Sequence, residues 1–262
     1  MRRSAMTRSE SSPVEKPWRA SDDLFERLRE LGFQKHTRFA SLIWEGAFEG
    51  RRTSLTISRQ TRTRYQGRTR RRAHLGWRLR IEMECRVMTR LYFVKESVTR
   101  WRLLRWLYRL KKQSVIEDLP SVLEGFDVVA ADETWGLTLI EDWASMLNVA
   151  SLLTERSSEQ LRGSVYFQPE RLHYGSGLLQ VSDMDATWIE SVLRRAARIA
   201  EGAEGLPDPT VQSAPTRLER LSRKQPLLAG ALVLSAVLGG LAIMTLTGLS
   251  LVLALAWGLS RL

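Results

Sequence analysis

The chain has 262 residues, room for one domain of ordinary size with additions at its ends. A hydrophobic fraction of 44% and nine tryptophans exclude wholesale disorder, and the single cysteine excludes an intramolecular disulfide framework and a cysteine-built zinc site. The formal charge of +11 is concentrated: Arg51 to Lys112 holds 20 bases and three acids, a local +17, against 20 bases and 26 acids elsewhere, a net −6. Such asymmetry points to an anionic partner: lipid headgroups, an acidic protein surface or nucleic acid.

Residues 1–20 read as a disordered basic tail; the arginines of its first positions have no apolar run behind them, so it is not an export signal. A cytoplasmic domain is expected over 21–205. It opens with a short helix, capped by Ser21 or Asp22, with Leu24, Leu28 and Leu31 on one face and Gly32 as its stop. Residues 37–50 fit either a second helix or a strand approach, with a tight bend near 46–50. A strand follows at 53–58, then a basic loop at 64–72 around Gly67.

"GWRLRIEMECRVMTRLYFV" (76–94) alternates apolar and charged residues, the pattern of a strand with one face in a core. At about 3.3 Å per residue it would run some 60 Å, so it must bend, bulge or split, and Thr89 is the expected place. Cys85 lies on its apolar side and reads as a buried, inert thiol. "VTRWRLLRWLYRLKKQ" (98–113) is a basic, aromatic amphipathic helix in which Arg102, Arg105, Arg109 and Lys112 fall within about 80° of arc. "FDVVAAD" (126–132) reads as a buried strand ending in a helix cap, Asp132, and the helix behind it places Trp135, Leu139, Trp143 and Leu147 at spacings of four. A hairpin is expected at 163–177 with its turn at Gln168–Arg171. The last helix of the domain, about 183–204, carries Trp188, Val192, Ala196, Ile199 and Ala203 on one side. The order predicts an α+β domain, an antiparallel sheet covered by helices.

Residues 206–226 form a proline-marked linker with a basic juxtamembrane stretch, Arg217, Arg220, Arg223 and Lys224. The 34 residues from Leu227 to Ser260 contain no charge, and a run of eighteen or more already argues a membrane segment. As one straight helix it would measure about 51 Å against a hydrocarbon core of about 30 Å, a tilt of about 54°. The expected anchor is therefore a C-terminal membrane helix or, better suited to that length, a helical hairpin turning near Met244–Gly248. Ala231, Ser235 and Gly239 make a stripe of small residues suited to helix packing. The bases before the run, with Arg261 after it, place the domain on the cytoplasmic side of the membrane, in a bacterium the inner membrane.

No phosphate-cradling glycine loop, zinc-protease motif, nucleophile elbow or calcium loop is present. His36, His74 and His173 are isolated in sequence, and neither a cofactor nor a metal is expected. The candidate anionic-surface residues are Arg68, Arg70, Arg71, Arg72, Arg78 and Arg80, with Arg102, Arg105, Arg109 and Lys112 of the amphipathic helix. Arg78, Arg80, Arg86 and Arg90 are expected to pair in part with acids on neighbouring strands, and Glu82 and Glu84 to pair across the sheet in the same way. The function expected is a membrane-anchored, non-enzymatic module whose basic surface (51–112) meets anionic lipid or an acidic protein. An enzyme with a site assembled from scattered residues is the first alternative. Nucleic-acid binding, with Tyr65, Trp77, Trp101 and Trp106 as stacking candidates, is the second.

"LPSVLEGFDVVAADETWGLTLIEDW" (119–143) and "GSVYFQPERLHYGSGLL" (163–179) include a G-F-x-V-x-A-x-D step from strand to helix and a short hairpin. Together with the glycine-bounded strand near Gly46–Ser58, this order resembles that of uncharacterised bacterial membrane-associated proteins of a domain of unknown function. The resemblance implies an α+β domain beside membrane helices and brings no catalytic residues with it.

Overall fold

The computed structural model describes residues 22–38, 41–66, 69–96, 112–117, 119–156 and 163–224, with single positions at 106, 108, 109, 228 and 235. A first compact unit ends at Ser213 and a second begins at Ala214.

The first unit is α+β, built on a nine-stranded antiparallel sheet. In chain order the strands are β1 (Gln34–Arg38), β2 (Ser41–Phe48), β3 (Arg51–Gln66), β4 (Thr69–Glu84), β5 (Leu91–Lys95), β6 (Ser114–Ile116), β7 (Phe126–Ala130), β8 (Ser164–Gln168) and β9 (Arg171–Gly175). Their order across the sheet is β1-β2-β3-β4-β9-β8-β5-β7-β6. The chain lays down a four-stranded meander, leaves a gap, builds β5 to β7, and returns to fill the gap with the β8–β9 hairpin. Helices α1 (Asp22–Glu30), α2 (Glu133–Glu141), α3 (Trp143–Thr154) and α4 (Ala186–Gly205) cover one face.

Local chemistry explains most of these elements. Helix α1 buries Leu24, Phe25 and Leu28 and stops at Gly32, whose φ of 83° lets Gly32 N and Phe33 N donate to the carbonyls of Arg29 and Leu28. Residues 41–48 are strand rather than helix. Glu49 and Gly50 both have positive φ, the conformation of a two-residue hairpin turn, and Phe48 faces Arg51 across it. The long alternating stretch 76–94 splits. Strand β4 ends at Glu84, irregular chain runs to Arg90, and β5 starts at Leu91, with β9 and β8 lying between the two strands. Alternate burial persists through the break, Cys85, Val87 and Thr89 all being inside.

The helix expected to carry Trp135, Leu139, Trp143 and Leu147 on one face is two helices. Asp142 is extended (φ −70°, ψ 93°) and ends α2, so α3 starts as a separate helix. Trp135 and Leu139 are buried, whereas Trp143 (58% exposed) and Leu147 (46%) face outward. The inward face of α3 is instead Met146, Val149, Ala150 and Leu153. Helix α4 follows expectation: Asp185 caps it by accepting from Trp188 N at 2.7 Å, and Trp188, Val192, Ala196, Ile199 and Ala203 are all buried. Against these helices lie Trp44, Leu55, Leu79, Ile81, Met83, Phe167 and Tyr174, each essentially inaccessible. Burying one such large side chain stabilises the fold by about 1.5–3 kcal/mol.

Asp132 caps α2 as expected, its Oδ1 accepting from Trp135 N at 3.0 Å. Its other oxygen does something the sequence did not disclose. Oδ2 accepts from Val211 N (2.9 Å) and from the Thr210 hydroxyl (2.8 Å), while Thr89 donates to Val211 O and Ser213 N to Met88 O. The first part of the expected linker is thus stitched to the domain, and the compact unit continues past Gly205 to Ser213.

Of the second unit, helix α5 (Arg217–Lys224) is described. Thr216 and Glu219 form a capping box: Glu219 N donates to Thr216 Oγ1 at 3.2 Å and Thr216 N to the Glu219 carboxylate at 2.7 Å. Leu228 and Ser235 are helical; the rest of the expected anchor, with Ala231, Gly239 and Arg261, lies outside the described residues. Among the described residues no helix is long and apolar enough to cross a membrane. The expected tail 1–20 also lies outside them.

Candidate anionic-surface interface

The stretch read from sequence as a basic loop at 64–72 is strand. β3 and β4 pair along nearly their whole length, from Thr53–Met83 to Gln66–Thr69. The pairing of β2 with β3 ends at Ser41–Ser58, and that of β4 with β9 at Arg80–Gly175. Beyond those points the β3–β4 hairpin continues as a two-stranded ribbon with no further strand on either edge among the described residues. The misreading has a plain cause: "TRTRYQGRTRRR" alternates threonine with arginine, so neither side of it looks apolar. Threonine and tyrosine are nonetheless good strand residues, and that was the available signal.

The ribbon is set off from the sheet by a bulge. Gln60 faces Gly76 and Thr61 faces His74, leaving Leu75 as the extra residue. Gly76 has φ 143°, and Trp77 exchanges two backbone hydrogen bonds with Leu179, both at 2.8 Å. Inside the bend the Trp77 indole is buried, edge-on to His74 at 5.6 Å, and Arg59 Nε donates to His74 Nδ1 at 3.3 Å. Trp77 therefore belongs to the core and is withdrawn as a stacking residue, because no base can reach its face. Tyr65, near the tip, is 74% exposed.

Seven of the sixteen residues from Arg59 to His74 are arginine and none is acidic; the nearest acids in sequence are Glu49 and Glu82. The register sets Arg64 opposite Arg71, with Thr63 facing Arg72 and Tyr65 facing Arg70. Like charges directly across a strand pair are destabilising by roughly 0.2–1 kcal/mol. A two-stranded ribbon is itself only marginally stable in water.

The sheet face turned away from the helices has a different character. One registered row runs Ser54, Glu82, His173, Tyr166, Tyr92, Val129, Val115 across seven strands. His173 stacks on Tyr166 (4.6 Å, 7°), and Tyr166 on Tyr92 (5.7 Å, 20°). Burial raises the Tyr166 hydroxyl above its ordinary value, and the same is true of Tyr108. Glu82 binds Arg171 of β9 at 2.9 Å and lies 3.8 Å from His173 Nδ1. Glu82 thus pairs across the sheet, as expected, its partner being Arg171 of the neighbouring strand β9. Arg80 is exposed, and Arg78 has a buried Nε with no hydrogen-bond partner among the described residues.

Of the expected amphipathic helix 98–113, Trp106, Tyr108 and Arg109 are described as helical; Trp106 and Arg109 are exposed. Lys112, at φ 54°, ends it, with Lys112 N bonded to Arg109 O and Gln113 N to Tyr108 O. Arg102, Arg105, Trp101 and Arg68 lie outside the described residues, and Arg70, Arg71 and Arg72 are described in their backbone register alone. Arg217 and Arg220 are exposed on α5, where Arg223 and Lys224 also lie.

The shifted carboxylates among the described residues are all lowered, and each has a structural partner. Bonds from Arg51 hold Glu204 down, joined by Arg86 N, and bonds from Arg27 and Arg194 do the same for Glu190. Burial alone would raise Asp132 and Asp185. The cap bonds outweigh it, with the linker bonds at Asp132 and Arg156 at Asp185. No group of three or more metal-ligating side chains occurs among the described residues. Burial pushes the Cys85 thiol up to about 12, and it sits 3.8 Å from Ala200 O. A thiol so placed is expected to ignore a water-soluble disulfide reagent in the native protein and to react at once in denaturant; rapid labelling of the folded chain would contradict its burial.

What the fold and this surface define is a class: an α+β domain with a nine-stranded antiparallel sheet, from which an arginine-rich ribbon projects beyond the neighbouring strands. No family model, curated protein or solved structure matches the chain.

Proposed function

We propose that this protein is a membrane-anchored, non-enzymatic module that presents a basic surface to the anionic lipid of the leaflet it is anchored in, the cytoplasmic one. The observation that carries the reading is a combination within one chain. Eleven arginines and no acid lie between Arg51 and Ile81, folded largely into a ribbon, and 34 uncharged residues follow later. Sixteen leucine, isoleucine and valine residues in that run favour insertion by about 5–10 kcal/mol before its glycine, serine and threonine residues are counted. Helix α5, whose capping box starts it just before the apolar run, supplies the positive flank that keeps the adjoining chain cytoplasmic. Near an anionic surface each arginine contributes about 1 kcal/mol, so even a few contacts suffice to hold a domain already tethered there.

The test is fractionation of cells producing the full chain. The protein is expected to stay with membranes through washes in high salt and alkaline carbonate, and to leave them in detergent. Recovery in the carbonate supernatant would overturn the anchoring.

A further inference from the structure

We infer that the outer side of helices α2 and α3 is a contact surface for a second copy of this chain, whose basic, aromatic segment docks Trp106, Arg109 and Lys112 on Trp143 and Leu147. The surface is an apolar patch with an acidic border. Trp143 and Leu147 stand four residues apart, hence on one face of α3, and Ala144 beside them is also exposed. On α2 the exposed residues Glu133, Leu137 and Glu141 follow the same spacing. Glu141 and Trp143 flank the single residue, Asp142, that joins the two helices. Large apolar side chains left together at a surface mark a place of contact, and tryptophan is among the residues that contribute most to such contacts.

Charge selects the occupant. The 43 residues from Gln113 to Glu155 hold nine acids and no base. Glu117, Glu124, Glu133 and Glu141 are exposed, and none of the four is in an ion pair among the described residues. The arginines bound near the far end of α3 are engaged, Arg195 by Glu155 and Arg156 by Asp185. Such a surface repels an anionic leaflet or a nucleic acid and fits a basic, aromatic protein segment. The chain carries one: the 15 residues from Val98 to Lys112 hold six bases and no acid. At its described end Tyr108 is half-buried, while Trp106 (55% exposed), Arg109 and Lys112 face solvent. Within one copy Trp106 and Trp143 are both open, so neither covers the other. A second copy brings Trp106 to the apolar patch and the two bases to its glutamate border. Each copy has both halves, so the contact is made twice about a two-fold axis. The arginine ribbon takes no part in it and remains for lipid.

The test uses full chains in neutral detergent. W106C and W143C chains with tags of different size are mixed and treated with a short bismaleimide; Cys85 is buried and does not compete. The two kinds of chain are expected to become joined, while either kind alone stays single. In sedimentation at low salt the unmodified chain is expected as a dimer. W143E is expected to weaken that dimer about tenfold or more, with thermal unfolding unchanged because Trp143 is exposed. Joining of W143C chains to one another but not to W106C chains would mean that the patch pairs with itself, and would overturn the contact. So would an unmodified chain that sediments as a monomer throughout. Loss of binding to anionic vesicles by W143E, with no joined chains, would make lipid the occupant and overturn it as well. None of these readouts needs membrane insertion, so a failed fractionation and a failed cross-link remain separate results.

Discussion

Asp132→Ala is expected to cost about 2–4 kcal/mol of stability near neutral pH, measured by urea unfolding. An N-cap carboxylate alone accounts for about 0.5–2 kcal/mol, and losing two further, part-buried hydrogen bonds to a charged group adds about 1.5–3 kcal/mol. Here the donors are Trp135 N, Val211 N and the Thr210 hydroxyl, all converging on one side chain that is almost completely buried. The pH dependence separates this from simple loss of packing. Hydrogen bonds hold the folded carboxyl below its ordinary value against the opposing effect of burial. Its contribution is therefore fully present above the unfolded pKa of about 3.9 and is lost as pH falls through the folded value. The difference between wild type and variant should accordingly shrink in acid. A deficit that stayed constant down to pH ~2 would mean that the charge of Asp132 plays no part. The same variant should free the 210–213 segment, so protease cleavage there should rise even under conditions in which the core remains folded.

Gly76→Ala is expected to destabilise the first unit by about 2–4 kcal/mol and to loosen the base of the ribbon. A side chain at φ 143° occupies a region that only glycine visits readily, at a cost of about 1–3 kcal/mol. The new Cβ would also lie 2.8 Å from the Leu179 carbonyl oxygen, the acceptor of the Trp77 N–H bond. That atom is backbone and cannot swing aside, so the Trp77–Leu179 bridge must open. Hydrogen exchange at Trp77 and Leu179 should speed up, while exchange at Val192 and Ala196 in α4 should change only as far as global stability does. Gly50→Ala serves as the control: its φ of 75° is also strained, but no atom lies within 4 Å of the added Cβ. If the two variants lose equal stability, the close approach to Leu179 contributes nothing.

Much of the helical part of the fold was legible because its signals are local. Leu24 and Leu28 with Gly32, Asp132 before a helix, and the row from Trp188 to Ala203 each lie within a few turns of chain, and each stands as read. The capping box at Thr216 and Glu219 was equally legible in its spacing and went unread. The 133–154 region failed for a reason the spacing could not reveal. Four apolar residues at intervals of four describe one face only while the helix continues, and a break at Asp142 turned Trp143 and Leu147 to the outside. The basic surface was visible as composition but not as shape. An arginine-threonine alternation has no apolar side, and only pairing with the other strand distinguishes it from a loop.

By itself the sequence determined the helix caps, the hairpin turns, the acid-free arginine stretch and the uncharged run of 34 residues, because each depends on neighbours in the chain. Tertiary structure alone decided that the β8–β9 hairpin fills the gap between β4 and β5, bringing Glu82, His173, Tyr166 and Tyr92 into one row. It alone gave Asp132 a second set of partners 78 and 79 positions away. It also put Arg64 and Arg71 in register across a two-stranded ribbon. The physical reason is the same in each case: backbone pairing and buried polar groups are satisfied by whatever lies nearest in space, and distance along the chain does not report that.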